Sequence, residues 1–401
     1  MNILFLSLLY HPNAAGEVSA LSRTGMQNQV NGFQWAMIGG IRKNMEEGET
    51  LSILNSLPVG TYPRQYRKLR LRGGSVDGDF TEIGSLNLPY FKQKQRESAA
   101  EREIERWALQ SDQNRTVLIY TLYLPYMRAV AAVKRRIPDL KACVIVTDLP
   151  GDLGVASGRQ GIMKTIEYHR GRKSIWLVAE MDGLILLTRQ MAVPLFAAHQ
   201  KLCVIEGLTS AQNATPEPIE IPEDHRPAVL YTGTLNRELG IDILLDAFGD
   251  MPGYQLWLCG KGDMEAEIAQ AQTKQDNIRY FGFVRQEQAV YLQGKSALLI
   301  NPRTNEGSYT RYSFPSKTME YMRAGKPVLC CKLDGIPAGY DEYLSYIEPQ
   351  DAQGIRETIN TIMLLTQAER DGIGRRAREF VLTEKNNITQ GKKALELLRS
   401  L

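Results

Sequence analysis

Between Asn301 and Leu329 the chain reads NPRTNEGSYTRYSFPSKTMEYMRAGKPVL, its densest run of residues able to hold a charged ligand. An apolar run ends at Ile300, a polar loop follows, and helical spacing begins after Pro315. Proline disfavours helix in the residue before it, and serine is a favoured helix cap, so a helix starting at about Ser316 is expected. The amides of Ser316, Lys317 and Thr318 would then be free to bind an anion, with the Lys317 ammonium beside them. Glu320 lies one turn further on, near enough to accept hydrogen bonds from a ribose diol. As a plain surface pair at i, i+3, Lys317 and Glu320 would be worth only ~0.2–0.5 kcal/mol. That reading accounts for the charges but not for the proline, the cap and the long polar loop together.

Two glycine loops support an anion site. One apolar run ends in Tyr231-Thr-Gly-Thr-Leu-Asn-Arg, and a helix pattern follows at about Ile241. A glycine at such a strand end (Gly233) lets a phosphate approach the backbone, and the next helix amino terminus favours its charge. The second loop, Cys259-Gly-Lys-Gly-Asp-Met-Glu, supplies Gly260 and Gly262. Neither has the GxGxxG spacing of a dinucleotide fingerprint, which argues against an oxidoreductase. Each loop alone reads equally well as a tight turn; together they outline a nucleotide crevice.

The first half of the chain is less explicit. Gly16 in Asn13-Ala-Ala-Gly16, or Gly25, could offer backbone amides to a phosphate, though ordinary loop glycines fit as well. Asp148 follows the apolar run CVIVT, where it could bind a sugar hydroxyl or stabilise positive charge at an anomeric carbon. A helix-capping aspartate before Leu-Pro is the competing reading. His11 ends the first apolar run and reads as a loop residue rather than a general base. Asp77-Gly-Asp79 spells a DxD, but it follows Gly73-Gly-Ser-Val in a polar loop rather than ending an apolar strand, and so reads as a turn.

The elements that must position these residues follow from hydrophobic patterning. The chain has 401 residues, 43% hydrophobic and 23% charged, an average balance for a globular chain that excludes a wholly disordered, coiled-coil or collagen-like protein. Four His and five Cys, without CxxC or Cys/His ligand spacing, give no metal site and suggest a reducing compartment. The opening MNILFLSLLYHP lacks a basic leader and a small-residue cleavage site, so a buried parallel strand is expected, and no run approaches the ~20 apolar residues of a spanning helix. Short apolar runs alternate with helical patterns throughout, which implies doubly wound α/β domains. Pro-rich residues 208–227 read as a linker between an amino-terminal domain over 1–207 and a carboxyl-terminal domain over 228–385. The tail 386–401, with leucines at helical spacing, could pack back on the first domain. Residues 1–215 hold 26 basic and 19 acidic residues, against 22 and 26 in the remainder, so the net +3 conceals a basic first half. Residues 60–107 resist assignment; their Arg, Lys, Tyr and Phe fit a solvated loop and amphipathic helix, or a surface for anionic lipid headgroups or an acidic substrate. No nucleic-acid module appears.

FPSKTMEYMRAGKPVL resembles the donor-site signature of bacterial family-4 glycosyltransferases of the GT-B fold. YTGTLN…GIDILLDAF, LWLCGKGDME and NIRYFGFV are similar to that family's first strand and helix, second loop and base-contacting loop, and MNILFLS and MDGLILLTRQM match more loosely. The resemblance implies two Rossmann-like domains facing across a cleft and a retaining transferase using a nucleotide-activated sugar, a UDP- or GDP-sugar, with no metal. Glu320 matches the second Glu of the family's Glu-x7-Glu motif, which holds the ribose. Gly233 and Thr234 fall in the phosphate loop, and Phe283-Val284 at the segment that recognises the base. Lys317 with the Ser316 and Thr318 amides would take the diphosphate. Asp148, Lys317 and Glu320 are the expected catalytic residues, with Ser313 in the donor loop.

The departures are specific. Tyr312 stands where the first Glu of the motif is expected, so Glu306, Ser308 or Arg311 would have to supply its sugar contact. Thr234 and Leu239 replace the usual Arg and Lys of the first phosphate loop, and Arg237 or Arg303 would restore that charge. A departing diphosphate needs cationic stabilisation, so at least two of Arg237, Arg303, Arg311 and Lys317 should face it. The expected function is transfer to a glycan or lipid-linked acceptor in bacterial surface polysaccharide synthesis, in the cytoplasm with peripheral contact to anionic membrane. The alternatives are a nucleotide-sugar epimerase of the same fold and a catalytically silent nucleotide-sugar-binding subunit.

Overall fold

A computed structural model describes residues 1–110, 114–150, 162–209, 215–306 and 308–401. The chain forms two compact units, Met1–Leu208 with Asn387–Leu401, and Thr209–Asn386. Part of the Pro-rich stretch 208–227, residues 210–214, lies outside the described residues.

In the first unit, β1 (Asn2–Ser7) leads through α1 (Pro12–Leu21) and α2 (Asn28–Asn44) to β2 (Thr50–Asn55). The segment that the sequence leaves unassigned forms β3 (Arg70–Leu71), β4 (Gly74–Asp77), β5 (Phe80–Glu82), β6 (Ser85–Leu86) and α3 (Phe91–Gln110). Then follow β7 (Arg115–Tyr120), α4 (Leu124–Arg136), β8 (Lys141–Val146), α5 (Ile162–Trp176), β9 (Gly183–Leu186) and β10 (Lys201–Val204). The sheet runs β10-β9-β8-β7-β1-β2-β5-β4, parallel except where β4 pairs antiparallel with β5. The interior strands are continuous apolar runs because helices cover a parallel sheet on both faces. Asp77-Gly78-Asp79 is the β4–β5 turn, with Gly78 at φ +33° and Asp79 paired to Arg42.

The second unit contains β11 (Ala228–Thr232), α6 (Ile241–Gly249), β12 (Gln255–Cys259), α7 (Glu265–Lys274), β13 (Ile278–Tyr280) and α8 (Gln286–Lys295). It continues with β14 (Leu298–Asn301), α9 (Ser316–Ala324), β15 (Val328–Cys330), β16 (Ser345–Tyr346), α10 (Ala352–Leu364) and α11 (Gln367–Glu384). Its sheet is all parallel in the order β13-β12-β11-β14-β15-β16, so strand order reverses between β11 and β14. Ligands in open α/β sheets sit at the carboxyl ends of strands at such a reversal.

The last helix, α12 (Asn387–Ser400), belongs to the first unit and lies along α2. Its Leu395 and Leu398 share a core with Ile3, Phe5, Ile38 and Ile41. The two helices touch through glycine: a Cβ at Gly391 would meet the backbone of Gly40. Gly391→Ala gains ~1 kcal/mol of helix propensity but overpacks this crossing at a cost of about 1–3 kcal/mol, so a net loss of up to about 2 kcal/mol in a urea titration is expected.

A polar knot ties the carboxyl ends of β1, β2 and β5. Asn55 accepts from the Ser7 hydroxyl (2.8 Å) and the Leu9 amide (2.7 Å), and donates to the Glu82 carboxylate at 2.7 Å. Burial pushes the Glu82 carboxyl up to about 7, opposed by the Asn55 hydrogen bond and by the Arg96 charge. The folded state therefore holds the extra proton between 4.5 and about 7, and stability falls as pH rises through that window. Glu82→Gln should flatten this slope and raise stability by about 2 kcal/mol at about pH 8 relative to about pH 5, read as the difference between two urea titrations.

Candidate functional site

The site forms at the carboxyl end of β11, beside β14. Helix α9 begins at Ser316, and Lys317 and Tyr321, one turn apart, both reach Thr232, the last residue of β11. The Thr232 amide donates to the Tyr321 hydroxyl (2.8 Å), and that hydroxyl and the Lys317 ammonium both donate to the Thr232 carbonyl, the hydroxyl at 3.2 Å. The ammonium also lies 5.4 Å from the Tyr231 ring centroid. Thr318 is fixed from the adjacent strand, accepting at its hydroxyl from the Asn301 side chain (3.3 Å). Burial lowers the Lys317 pKa below the ordinary lysine value, and the nearby Glu320 charge partly opposes this.

The glycines make this approach possible. Gly233 has φ +149°, and a Cβ there would fall on the Lys317 ammonium. A Cβ on Gly260 (φ +139°) would strike the Gly233 carbonyl, and one on Gly262 the Leu235 carbonyl. The loops are stitched together by hydrogen bonds from Gly233 to Cys259, Leu235 to Lys261 and Gly260 to Gly282, all 2.8–2.9 Å. Gly233, Gly260 and Gly262 thus form one layer of bare backbone at the strand ends. Thr234 is exposed, and its carbonyl accepts from the Tyr231 hydroxyl at 2.8 Å.

Several expected roles change. Pro315, not Ser316, occupies the cap position of α9, because a proline there already has the extended backbone that a cap requires; Ser316 is the first helical residue. The Thr318 amide is not free: it donates to the Pro315 carbonyl at 2.8 Å in a tightened first turn. The helix end therefore offers Ser316 and Lys317 rather than three amides. Arg237 does not restore the phosphate-loop charge, since it is spent on Asp242 (3.1 Å) and Glu267 (3.4 Å). Arg303 donates to the Ser313 hydroxyl at 3.1 Å, and Arg311 lies 4.0 Å from Asp334. Glu306 is exposed in the loop after β14, and Tyr312 ends a short 3-10 turn over Ser308–Tyr312. Glu320, exposed on α9, accepts from the Gln293 side chain at 3.0 Å. Phe283 is 71% exposed with the Lys261 ammonium 5.7 Å from its ring centroid, while Val284 packs on the core.

In the first unit, Gly16 lies inside α1 rather than in a loop, where its amide faces the helix ladder and not a ligand. His11 caps that helix, accepting from the Asn13 amide at 3.3 Å. Asp148 is exposed beyond the end of β8, and its charge, after burial, helps raise the Tyr120 phenol to about 12. Among the described residues no group of three His, Cys, Asp or Glu side chains could hold a metal. The residues that sequence reasoning missed are Tyr321 and Asn301. The spacing of Lys317 and Tyr321 at i, i+4 placed both on one helix face and was the available signal.

Aligned with 16% identity over the whole of both chains, the sucrose-phosphate synthase of Thermosynechococcus elongatus has a TM-score of 0.62. A lipopolysaccharide outer core galactosyltransferase, WaaB, gives 0.61 at 12% identity, covering all of this chain and 99% of that one. The fold is therefore GT-B, two α/β units with parallel sheets. Residues 226–364 match the family model for glycosyl transferases group 1, which makes the second unit a group 1 glycosyltransferase domain. The chain is also similar to the O-antigen chain mannosyltransferase B of Escherichia coli, 26% identical over 138 residues; the match covers 31% of this chain and about a third (34%) of that protein.

The Gly233 geometry is testable. In Gly233→Ala the new methyl must displace the Lys317 ammonium, so any anion bound there should lose affinity about tenfold or more, a loss of ~1.4 kcal/mol. Titration with uridine or guanosine diphosphate by calorimetry would show it. In the wild type, affinity should also fall as pH rises toward the lowered Lys317 pKa, earlier than an ordinary lysine would dictate, because the anion favours the protonated amine.

Proposed function

We propose that the protein is a retaining glycosyltransferase that takes its sugar from a nucleoside diphosphate donor bound at the carboxyl ends of β11 and β14. The observation that carries this reading is the convergence of bare glycine backbone, the Lys317 ammonium and the start of α9 at one point of strand reversal. Glycine admits a phosphate to the backbone, and the ammonium and helix end supply positive potential where charge develops on a departing diphosphate.

In this reading the Ser316 and Lys317 amides and the Lys317 side chain hold the diphosphate, and Glu320 accepts from the ribose hydroxyls after exchanging its Gln293 contact. The exposed Phe283 and the adjoining backbone meet the base. Arg303 with Ser313, together with Glu306 and Arg311 in the same loop, supplies contacts to the sugar in place of the carboxylate that Tyr312 does not offer. The bond from the anomeric carbon to the diphosphate oxygen breaks as the acceptor hydroxyl adds to the same face. The acceptor's proton passes to the leaving phosphate oxygen, and Asp148 steadies positive charge on the sugar. Lys317 offsets the negative charge left on the diphosphate.

The acceptor is a glycan or lipid-linked saccharide handled by the first unit, and the pathway is surface polysaccharide synthesis. Similarity to an O-antigen mannosyltransferase supports this assignment. Among the described residues no helix is long and apolar enough to cross a membrane, so contact with anionic lipid would be peripheral.

A thermal-shift panel of uridine, guanosine and adenosine diphosphates tests the donor site. One of them at about 100 times its dissociation constant should stabilise the protein by about 2.7 kcal/mol. Lys317→Met should abolish that shift while leaving the unliganded protein as stable or more so, because it removes a cation held against burial. The wild type is expected to hydrolyse the donor slowly in the absence of acceptor, and Glu320→Ala should weaken binding and stop that turnover. If no diphosphate shifts the melting of the wild type, the donor-site reading fails.

A further inference from the structure

Lys261 and Phe283 stand at the carboxyl ends of β12 and β13, one and two strands out from the Gly233 loop. β12 lies between β11 and β13 in the sheet, so the end of β13 is two strand spacings, about 10 Å, from the end of β11. A nucleotide whose phosphates lie at Gly233 and whose nucleoside runs along these strand ends brings its base to that place.

The backbone presents Phe283 to solvent. Phe281 and Val284 pack on the core, whereas Phe283, between them in sequence, is 71% exposed. Gly282 has φ +70°, a left-handed conformation that glycine adopts at little cost, and this turn sends the next side chain outward. The turn is tied to the phosphate side, because the Gly282 carbonyl accepts the Gly260 amide at 2.8 Å. A bare aromatic face held in this way is a stacking platform, and stacking alone accepts any base.

The group able to discriminate is Lys261. It is exposed, its ammonium lies 5.7 Å from the Phe283 ring centroid, and among the described residues no carboxylate pairs with it. The carboxylates close to it in sequence are engaged elsewhere. Glu265 accepts from the Gly262 amide and the Tyr280 hydroxyl, both at 3.0 Å, and Asp263 accepts from the Arg237 amide at 3.0 Å. Arg285, the cation that follows Phe283, is paired with Glu217. A base stacked on the open face of Phe283 therefore meets the unmatched Lys261 ammonium at its edge.

An ammonium has three donors and no acceptor, which ranks the bases. Guanine offers two adjacent acceptors, O6 and N7, and uracil a single carbonyl, O4; adenine sets an N6 amino group beside N7 and turns its hydrogens toward the cation. We propose that Lys261 selects guanine, donating to O6 and N7 of a base stacked on Phe283, so that the sugar donor is a guanosine diphosphate sugar. This deepens the donor-site reading and rests on it, since the phosphates must lie at Gly233 and Lys317 for the base to reach Phe283.

Calorimetric titration of the full chain with guanosine, inosine, uridine and adenosine diphosphates tests it. The guanosine and inosine compounds share O6 and N7 and should bind alike, with adenosine diphosphate about tenfold or more weaker and uridine diphosphate between them. Lys261→Met should bring guanosine diphosphate down to the adenosine diphosphate level. Lys261→Gln, whose amide can donate to N7 and accept from N6, should reverse the order of those two. Phe283→Ser should weaken all four by a similar factor. Equal affinity of the wild type for guanosine and adenosine diphosphates overturns the proposal. An equal loss of both in Lys261→Met also overturns it, by making Lys261 a general attractor of phosphate. So does tight guanosine diphosphate with weak inosine diphosphate, because the 2-amino group would then be the feature read. In each of these cases the diphosphates still bind and still lose affinity in Lys317→Met, so the donor-site reading stands; binding by none of the four ends both.

Discussion

The Thr232 carbonyl, at the end of β11, organises the second unit's site. Two residues of one helix face reach it, the Tyr321 hydroxyl and the Lys317 ammonium, and the Tyr321 hydroxyl also takes the Thr232 amide. A buried tyrosine with its hydroxyl so engaged fixes the azimuth of α9 against the sheet, and burial raises its pKa well above the ordinary phenol value. Lys317, one turn earlier, then has little freedom. Its place exists only because Gly233 has no side chain, and Gly233 can sit there only because Gly260 has none either. The site is thus a consequence of backbone packing before it is a collection of charges.

The charges obey a second rule. Arg237 is matched by carboxylates, whereas the Lys317 ammonium rests on a neutral carbonyl and a ring face. Contacts of that kind orient a cation without cancelling it. The first unit solves the opposite problem at its own strand ends: there Asn55 hydrogen-bonds Ser7, Leu9 and Glu82 together, and a carboxyl is kept largely uncharged below about 7. Similar strand ends have been used for rigidity in one unit and for a cation without a carboxylate partner in the other.

What could be read from the sequence follows from how local the cause was. The parallel strands are legible because burial on both faces forces continuous apolar runs, as in Ala142–Val146 and Gln255–Cys259. Residues 60–107 are opaque because β4 is wholly exposed and β3 and β6 are two residues each, too short for any period to register. Gly16 misleads because a glycine in a short helix looks like a loop glycine. The pairing of Arg237 with Glu267 could not be seen, since the partner lies 30 residues on and only the sheet brings it near. The donor-loop segment is legible in composition, but the cap at Pro315 and the engaged Thr318 amide depend on how the first turn tightens.

The lowered pKa of Lys317 joins these points into one argument about cost. Holding an ammonium away from water destabilises the empty protein, and neither the Thr232 carbonyl nor the Tyr231 ring offsets that as a carboxylate would. A carboxylate in that place would stabilise the fold and occupy the position an anion must take. The unmatched cation is therefore a preorganised electrostatic group, whose desolvation is met during folding by the core around β11 and recovered when a polyanion arrives. In the proposed donor site, charge that develops on a leaving diphosphate would find its partner already oriented. On the proposed reading the glycine layer, rather than an additional arginine, is the feature that the site cannot lose: a second cation can be supplied from several loops, but only bare backbone leaves room for Lys317 at this strand end.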